Sequence, residues 1–169
     1  MHELKNKTFY FRDGNVRTAK IKQHLKTALI HFVLPVSLGS LIYLLFRSKH
    51  LLIFHWFNAL GLYPAILAAR QHIIIFEQTP SWLIYSLPNG LWAYSFMFFI
   101  SYIWSGTKAP ARYLFIFMVL TLSLGSEIGQ LLGTIPGTFC FEDLIVYVLG
   151  LSLGFYFGNK MPKEVIKIE

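Results

Sequence analysis

Polar and apolar residues in this chain do not alternate with a short period; they fall into long blocks. Four blocks stay apolar over roughly the 20 residues that a helix needs to cross the hydrocarbon of a bilayer. They cover about 27–46, 88–104, 112–132 and 141–158. In Leu87-Pro88-Asn89-Gly90 the proline suits the first turn of the second block, where a missing backbone N–H costs nothing. Gly133-Thr-Ile-Pro-Gly137-Thr is a turn-rich connection between the third and fourth blocks. Thr138 is a candidate cap for the helix that follows it. The pattern predicts an all-α integral membrane protein, a bundle of four transmembrane helices.

A further apolar stretch, 51–76, is interrupted by His55, Asn58, Pro64, Arg70 and His72. Basic residues decide how to read it, because Lys and Arg concentrate on the cytoplasmic side of membrane proteins. Four spans with the N-terminus inside place 12 of the 15 basic residues in the cytoplasm. These are Lys5, Lys7, Arg12, Arg17, Lys20, Lys22, Lys26, Lys108, Arg112, Lys160, Lys163 and Lys167; Arg47, Lys49 and Arg70 remain outside. A fifth crossing would divide the same residues eight against seven. The stretch 51–76 is therefore expected to form one or two short interfacial helices on the outer face, broken near Tyr63-Pro64. The domain plan is a basic cytoplasmic segment 1–26, a transmembrane domain 27–158 and a cytoplasmic tail 159–169.

Composition supports lipid as the solvent. Hydrophobic residues make up 55% of the chain and charged ones 14%, against about 25% charged in soluble domains. The net charge of +7 reflects topology rather than nucleic-acid binding, since the basic residues avoid the apolar blocks. Lys20, Lys22 and Lys26 suit contact with anionic lipids. Trp82, Tyr85 and Trp92 fall near the outer boundary and Tyr102, Trp104 and Tyr113 near the inner one, as interfacial aromatics do. Cys140 is the single cysteine, so no intrachain disulfide is expected. The first apolar block lacks a small-residue cleavage site and is expected to stay attached.

Two glycine stripes at four-residue spacing, Gly125, Gly129 and Gly133 on the third span and Gly150, Gly154 and Gly158 on the fourth, predict close approach of these two helices. Glu127, Glu142 and Asp143 lie within or at the mouth of an apolar helix, where ionisable groups are functional candidates. Ser123, Glu127 and Gln130 share one face of the third span, and Asp143, Tyr147, Gly150 and Gly154 one face of the fourth. The four-span arrangement brings Glu127, Gln130 and Asp143 together near the outer leaflet. His31, His55 and His72 lack metal-ligand spacing, so neither metal nor cofactor is expected.

Ser126-Glu-Ile-Gly-Gln130, then Gly137-Thr-Phe-Cys-Phe-Glu-Asp143, then Gly150-xxx-Gly154 resemble the VanZ-like membrane proteins. The likeness covers the last third of the chain, and Leu87–Ser95 is similar to the opening of that family's second span. Asn89 and Tyr147 stand where the family often has Asp and commonly Asn. The resemblance implies a bacterial envelope protein of the cytoplasmic membrane, in a family whose namesake is associated with low-level resistance to the glycopeptide teicoplanin. Three roles are open at this level. One is binding or modulation of a lipid-linked or cell-wall component, such as a lipid-linked precursor. A second is catalysis on a lipid head group by a Glu127/Asp143 acid–base pair. In the third, purely structural, Glu127 and Asp143 bond to Gln130, Tyr147 or Ser123 and fix the bundle. Membrane lipids are the expected partners, an oligomer is compatible with four short helices, and transport would require one.

Overall fold

The computed structural model describes residues 18–71 and 79–161, which form helices and connections with no strand among the described residues. In chain order these are α1 (Thr18–Phe46), α2 (Leu52–Ala59), α3 (Tyr63–Gln71), α4 (Ser81–Tyr85), α5 (Leu87–Ile103), α6 (Pro110–Leu131) and α7 (Phe141–Lys160). Three of them are long and apolar enough to cross a membrane: α1 with 29 residues, α6 with 22 and α7 with 20. The pair α2–α3 would make a fourth if taken as one broken span, and its halves are bent by 117°. The chain is thus all-helical and compatible with a multi-pass membrane protein.

Local sequence accounts for most of the helix ends. Pro88 lies in the first turn of α5 and Pro110 opens α6, positions where proline's missing N–H has no intrahelical partner. The α2–α3 break falls at residues 60–62, where Gly61 has a φ of 71°, a conformation that L side chains rarely adopt. Gly133 and Gly137, at φ 70° and 143°, perform the same service between α6 and α7. Helix α7 starts later than a Thr138 cap would place it; Cys140 is the N-cap and makes no side-chain capping bond. Residues Thr18–Lys26, ahead of the first apolar block, are already helical, and their lysines and glutamine are good helix formers. The first 17 residues of the basic segment, 72–76 of the interfacial segment with His72, and 162–169 of the tail lie outside the described residues.

Within α1, residues Leu29–Val33 form a π-helical turn in which the Leu34 N–H bonds to the Leu29 carbonyl. Pro35 follows directly. An interior proline offers no N–H and crowds the preceding turn, and the wider turn accommodates it within a continuous helix.

Helix α5 sits centrally, touching α1, α6 and α7 and pairing most closely with α7. Phe98, Met97, Pro88, Ser95 and Ser101 of α5 are almost wholly buried. Ala93, Met97 and Leu151 form the core, with Ile116, Val119, Leu120, Leu124 and Tyr147 packed around it. The outside is apolar: Phe117 is 65% and Leu122 70% exposed. So much apolar surface in water would drive aggregation, whereas in lipid it carries no penalty.

The α7 glycines close onto α5 rather than onto α6. A Cβ on Gly150 would strike the Gly90 carbonyl, one on Gly154 the Tyr94 carbonyl, and one on Gly158 the Phe98 carbonyl, each closer than 3.0 Å. The order of these contacts makes α5 and α7 parallel neighbours. The α6 glycines do not form a helix–helix seam. Gly125 has only Thr121 of its own helix nearby, Gly129 packs against Ile135 of the following loop, and Gly133 faces open space. Glycine spacing identifies a face that permits close approach; it does not select which neighbour takes that face.

Candidate functional site

Polar side chains gather at the end of the molecule where α1 and α6 finish and α5 and α7 begin. Glu127, the most buried ionisable group there at 3% exposure, lies one turn from the end of α6. Its Oε2 accepts from the Cys140 backbone N–H at 3.3 Å, so the carboxylate meets the N-terminus of α7. That terminus has unpaired N–H groups and the positive end of the helix dipole, and the contact ties two helices across their loop. Cys140 turns its thiol away and donates to Glu142 Oε2 at 2.8 Å. Acceptance by Glu142, ahead of burial, holds this thiol above its usual pKa, which keeps it protonated and a poor nucleophile.

Asp143, in the first turn of α7, faces α5. Asn89 Nδ2 stands 3.5 Å from Asp143 Oδ2 and donates to the Tyr85 carbonyl at 3.3 Å. Arg47, just past the end of α1, donates from Nη2 to that same carbonyl at 3.2 Å. Its guanidinium lies over the Tyr85 and Tyr43 rings, 5.1 and 5.4 Å from their centroids. Arg70 in turn closes the end of α1, donating to the Leu44 carbonyl at 2.8 Å and the Arg47 carbonyl at 2.6 Å. Tyr147, one turn further along α7, packs against the core formed by Ala93, Met97 and Leu151.

Two opposite needs are left open in this group. Among the described residues, neither Asp143 Oδ1 nor Arg47 Nε, both buried, has a hydrogen-bond partner. Each such atom costs about 1–3 kcal/mol unless something meets it. No ion pair joins Arg47 to either carboxyl group among the described residues, so a guanidinium and two carboxyl groups share one end of the molecule without direct contact.

Glu127 reaches the start of α7 at Cys140, three residues ahead of Asp143, and Tyr147 follows one turn along the same helix. The structure leaves Gln130 and Ser123 to other tasks. Gln130 lies against Gly137, where an added Cβ would meet its amide at 2.7–2.8 Å. Ser123 is buried and its carbonyl accepts from Ser126 Oγ at 2.8 Å. Arg47 was missed because on sequence it counts only as an outside loop charge. Among the described residues no group of three or more His, Cys, Asp or Glu has the geometry to hold a metal ion.

A second polar set runs between α1 and α5 towards the opposite end. His31, in the π-helical turn, is hydrogen-bonded through Nδ1 with the Tyr94 hydroxyl at 2.6 Å and stacks on Phe98 with centroids 4.7 Å apart. His24 pairs likewise with Tyr102. Beyond them, Arg112 donates to Asn159 Oδ1 at 2.6 Å and links α6 to α7. The histidine pairs link α1 to α5.

No family model, curated protein or solved structure matches this chain.

Proposed function

We propose that this chain is a VanZ-like protein of the bacterial cytoplasmic membrane, and that its polar end binds a lipid-linked or cell-wall component at the outer leaflet. Such binding would alter how that component is displayed, and with it the access of glycopeptides such as teicoplanin. The observation that carries this reading is the convergence of Arg47, Asn89, Glu127, Asp143 and Tyr147 at one end, with buried atoms of both polarities unmet.

The topology belongs to the same proposal. Helices α1, α5, α6 and α7 cross as four spans, and α2 and α3 lie at the outer face. Helix α5, at 17 residues, reaches about 25 Å and is shorter than the other three. Its support as a span is the glycine contact with α7 along most of its length, which gives the two helices the same depth. The basic residues then place both termini in the cytoplasm and the Arg47–Asp143 end outside.

A structural role is favoured at one position only. Glu127 already has a partner in the Cys140 N–H, so we assign it to holding α6 and α7 together and assign ligand contact to Asp143 and Arg47. Among the described residues no activated nucleophile accompanies the carboxylates, and binding is the reading we carry forward.

The test is complementation of a bacterial strain lacking the protein, challenged with teicoplanin, with membrane abundance measured in parallel. Asp143→Asn and Arg47→Gln are expected to lose rescue at unchanged abundance. Full rescue by both variants, or loss of rescue only in step with abundance, overturns the binding role.

A further inference from the structure

Arg47 Nε and Asp143 Oδ1 describe what a ligand at this end must offer. One is a buried donor on a guanidinium, the other a buried acceptor on a carboxyl group, and neither has a partner among the described residues. They are kept from each other by what holds each in place. The Tyr85 carbonyl accepts from both Arg47 Nη2 and Asn89 Nδ2, and Asn89 stands between that carbonyl and Asp143 Oδ2. Tyr43 and Tyr85 hold the guanidinium from its faces.

Resting on the ligand-binding reading above, we propose that this end receives a phosphate ester carrying a hydrogen-bond donor beside the phosphate, with the phosphate oxygens on Arg47 and the donor on Asp143. A bare phosphate would meet Arg47 but would face Asp143 and Glu127, two carboxylates that repel it. An ammonium group alone would meet Asp143 while Arg47 opposed it. A ligand bearing both groups satisfies both atoms, and charge-assisted hydrogen bonds of this kind are the strong ones. Arginine suits the phosphate because its planar fork matches phosphate geometry. Two sources share this chemistry: the ethanolamine headgroup of a phospholipid, whose amine is the donor, and a lipid-linked sugar phosphate, whose hydroxyl and amide groups are.

The experiment titrates the full-length chain, purified in non-ionic detergent, by calorimetry with three probes. They are dihexanoyl phosphatidylethanolamine, dihexanoyl phosphatidylcholine and N-acetylglucosamine phosphate. Phosphatidylcholine carries the same phosphate and the same positive charge but no N–H. Wild type is expected to bind one donor-bearing probe about tenfold more tightly than phosphatidylcholine, the size of one charge-assisted hydrogen bond. Asp143→Asn is expected to bring that ratio near one, and Arg47→Gln to weaken every probe. The tighter of the two donor-bearing probes identifies the source.

Equal binding of all three probes to wild type, or binding of none, overturns the proposal, as does a ratio that survives Asp143→Asn in a monodisperse variant. The wild-type ratio decides without any variant, so misfolding of a mutant cannot shield the idea. If Asp143→Asn loses antibiotic rescue at normal abundance while no donor preference exists, this inference falls and the ligand-binding reading stands. If that variant and Arg47→Gln both keep full rescue, the ligand-binding reading itself falls.

Discussion

At Glu127 the carboxylate accepts from a backbone N–H, a task that an amide oxygen performs as well. Glu127→Gln is therefore expected to leave the thermal unfolding midpoint in detergent close to wild type. Glu127→Ala leaves the Cys140 N–H unpaired and is expected to cost about 1–3 kcal/mol; an equal loss in both variants would mean the negative charge itself matters for folding. His31 and Tyr94 are a second residue-scale case. Their hydrogen bond, 2.6 Å long, crosses between α1 and α5, and interhelical bonds in membranes contribute about 1 kcal/mol. A double-mutant cycle of His31→Phe and Tyr94→Phe is expected to return a coupling of that size, and additive losses would show that the pair contributes packing alone.

Helix α7 is placed by absence of side chains. Its three glycines let the α5 backbone approach so closely that a methyl group on any of them meets a carbonyl oxygen. Backbone cannot rotate away as a flexible side chain does, so the helices must separate. Gly154→Ala is expected to lower unfolding stability by about 1–3 kcal/mol through this forced separation. Gly125→Ala on α6 meets only Thr121 Cγ2 at 3.5 Å, an ordinary contact. It is expected to be neutral or to gain up to about 1 kcal/mol from alanine's better helix propensity. Equal thermal shifts for the two variants would contradict the α5–α7 seam.

Across the whole molecule, the two ends differ in the residues they expose. Lys49 follows α1 at the Asp143 end, and Lys108 lies between α5 and α6 at the other; both are exposed. In a Cys140→Ser background, Lys49→Cys is expected to react with a membrane-impermeant maleimide in intact cells. Lys108→Cys is expected to react only after permeabilisation. The reverse pattern would invert the molecule and place the Arg47–Asp143 site in the cytoplasm, where an outer-leaflet ligand could not reach it.

Apolar stretches long enough to cross a membrane, the proline at the start of α5 and the glycine turns between α6 and α7 are legible in the chain alone. Each of these depends on a residue's own hydropathy or backbone freedom, which neighbours in the chain suffice to reveal. Helical spacing also exposed the Glu127, Asp143 and Tyr147 faces, since 3.6 residues per turn fix which side chains point the same way. It identified the α7 glycine face but not its occupant, because periodicity describes one helix and packing needs two. Only the tertiary structure brought Arg47 to the α7 end through the Tyr85 carbonyl, gave Glu127 to the Cys140 N–H, and turned Gln130 onto Gly137. Those outcomes depend on how helices distant in sequence meet, a balance of shape and buried polarity that no single segment contains.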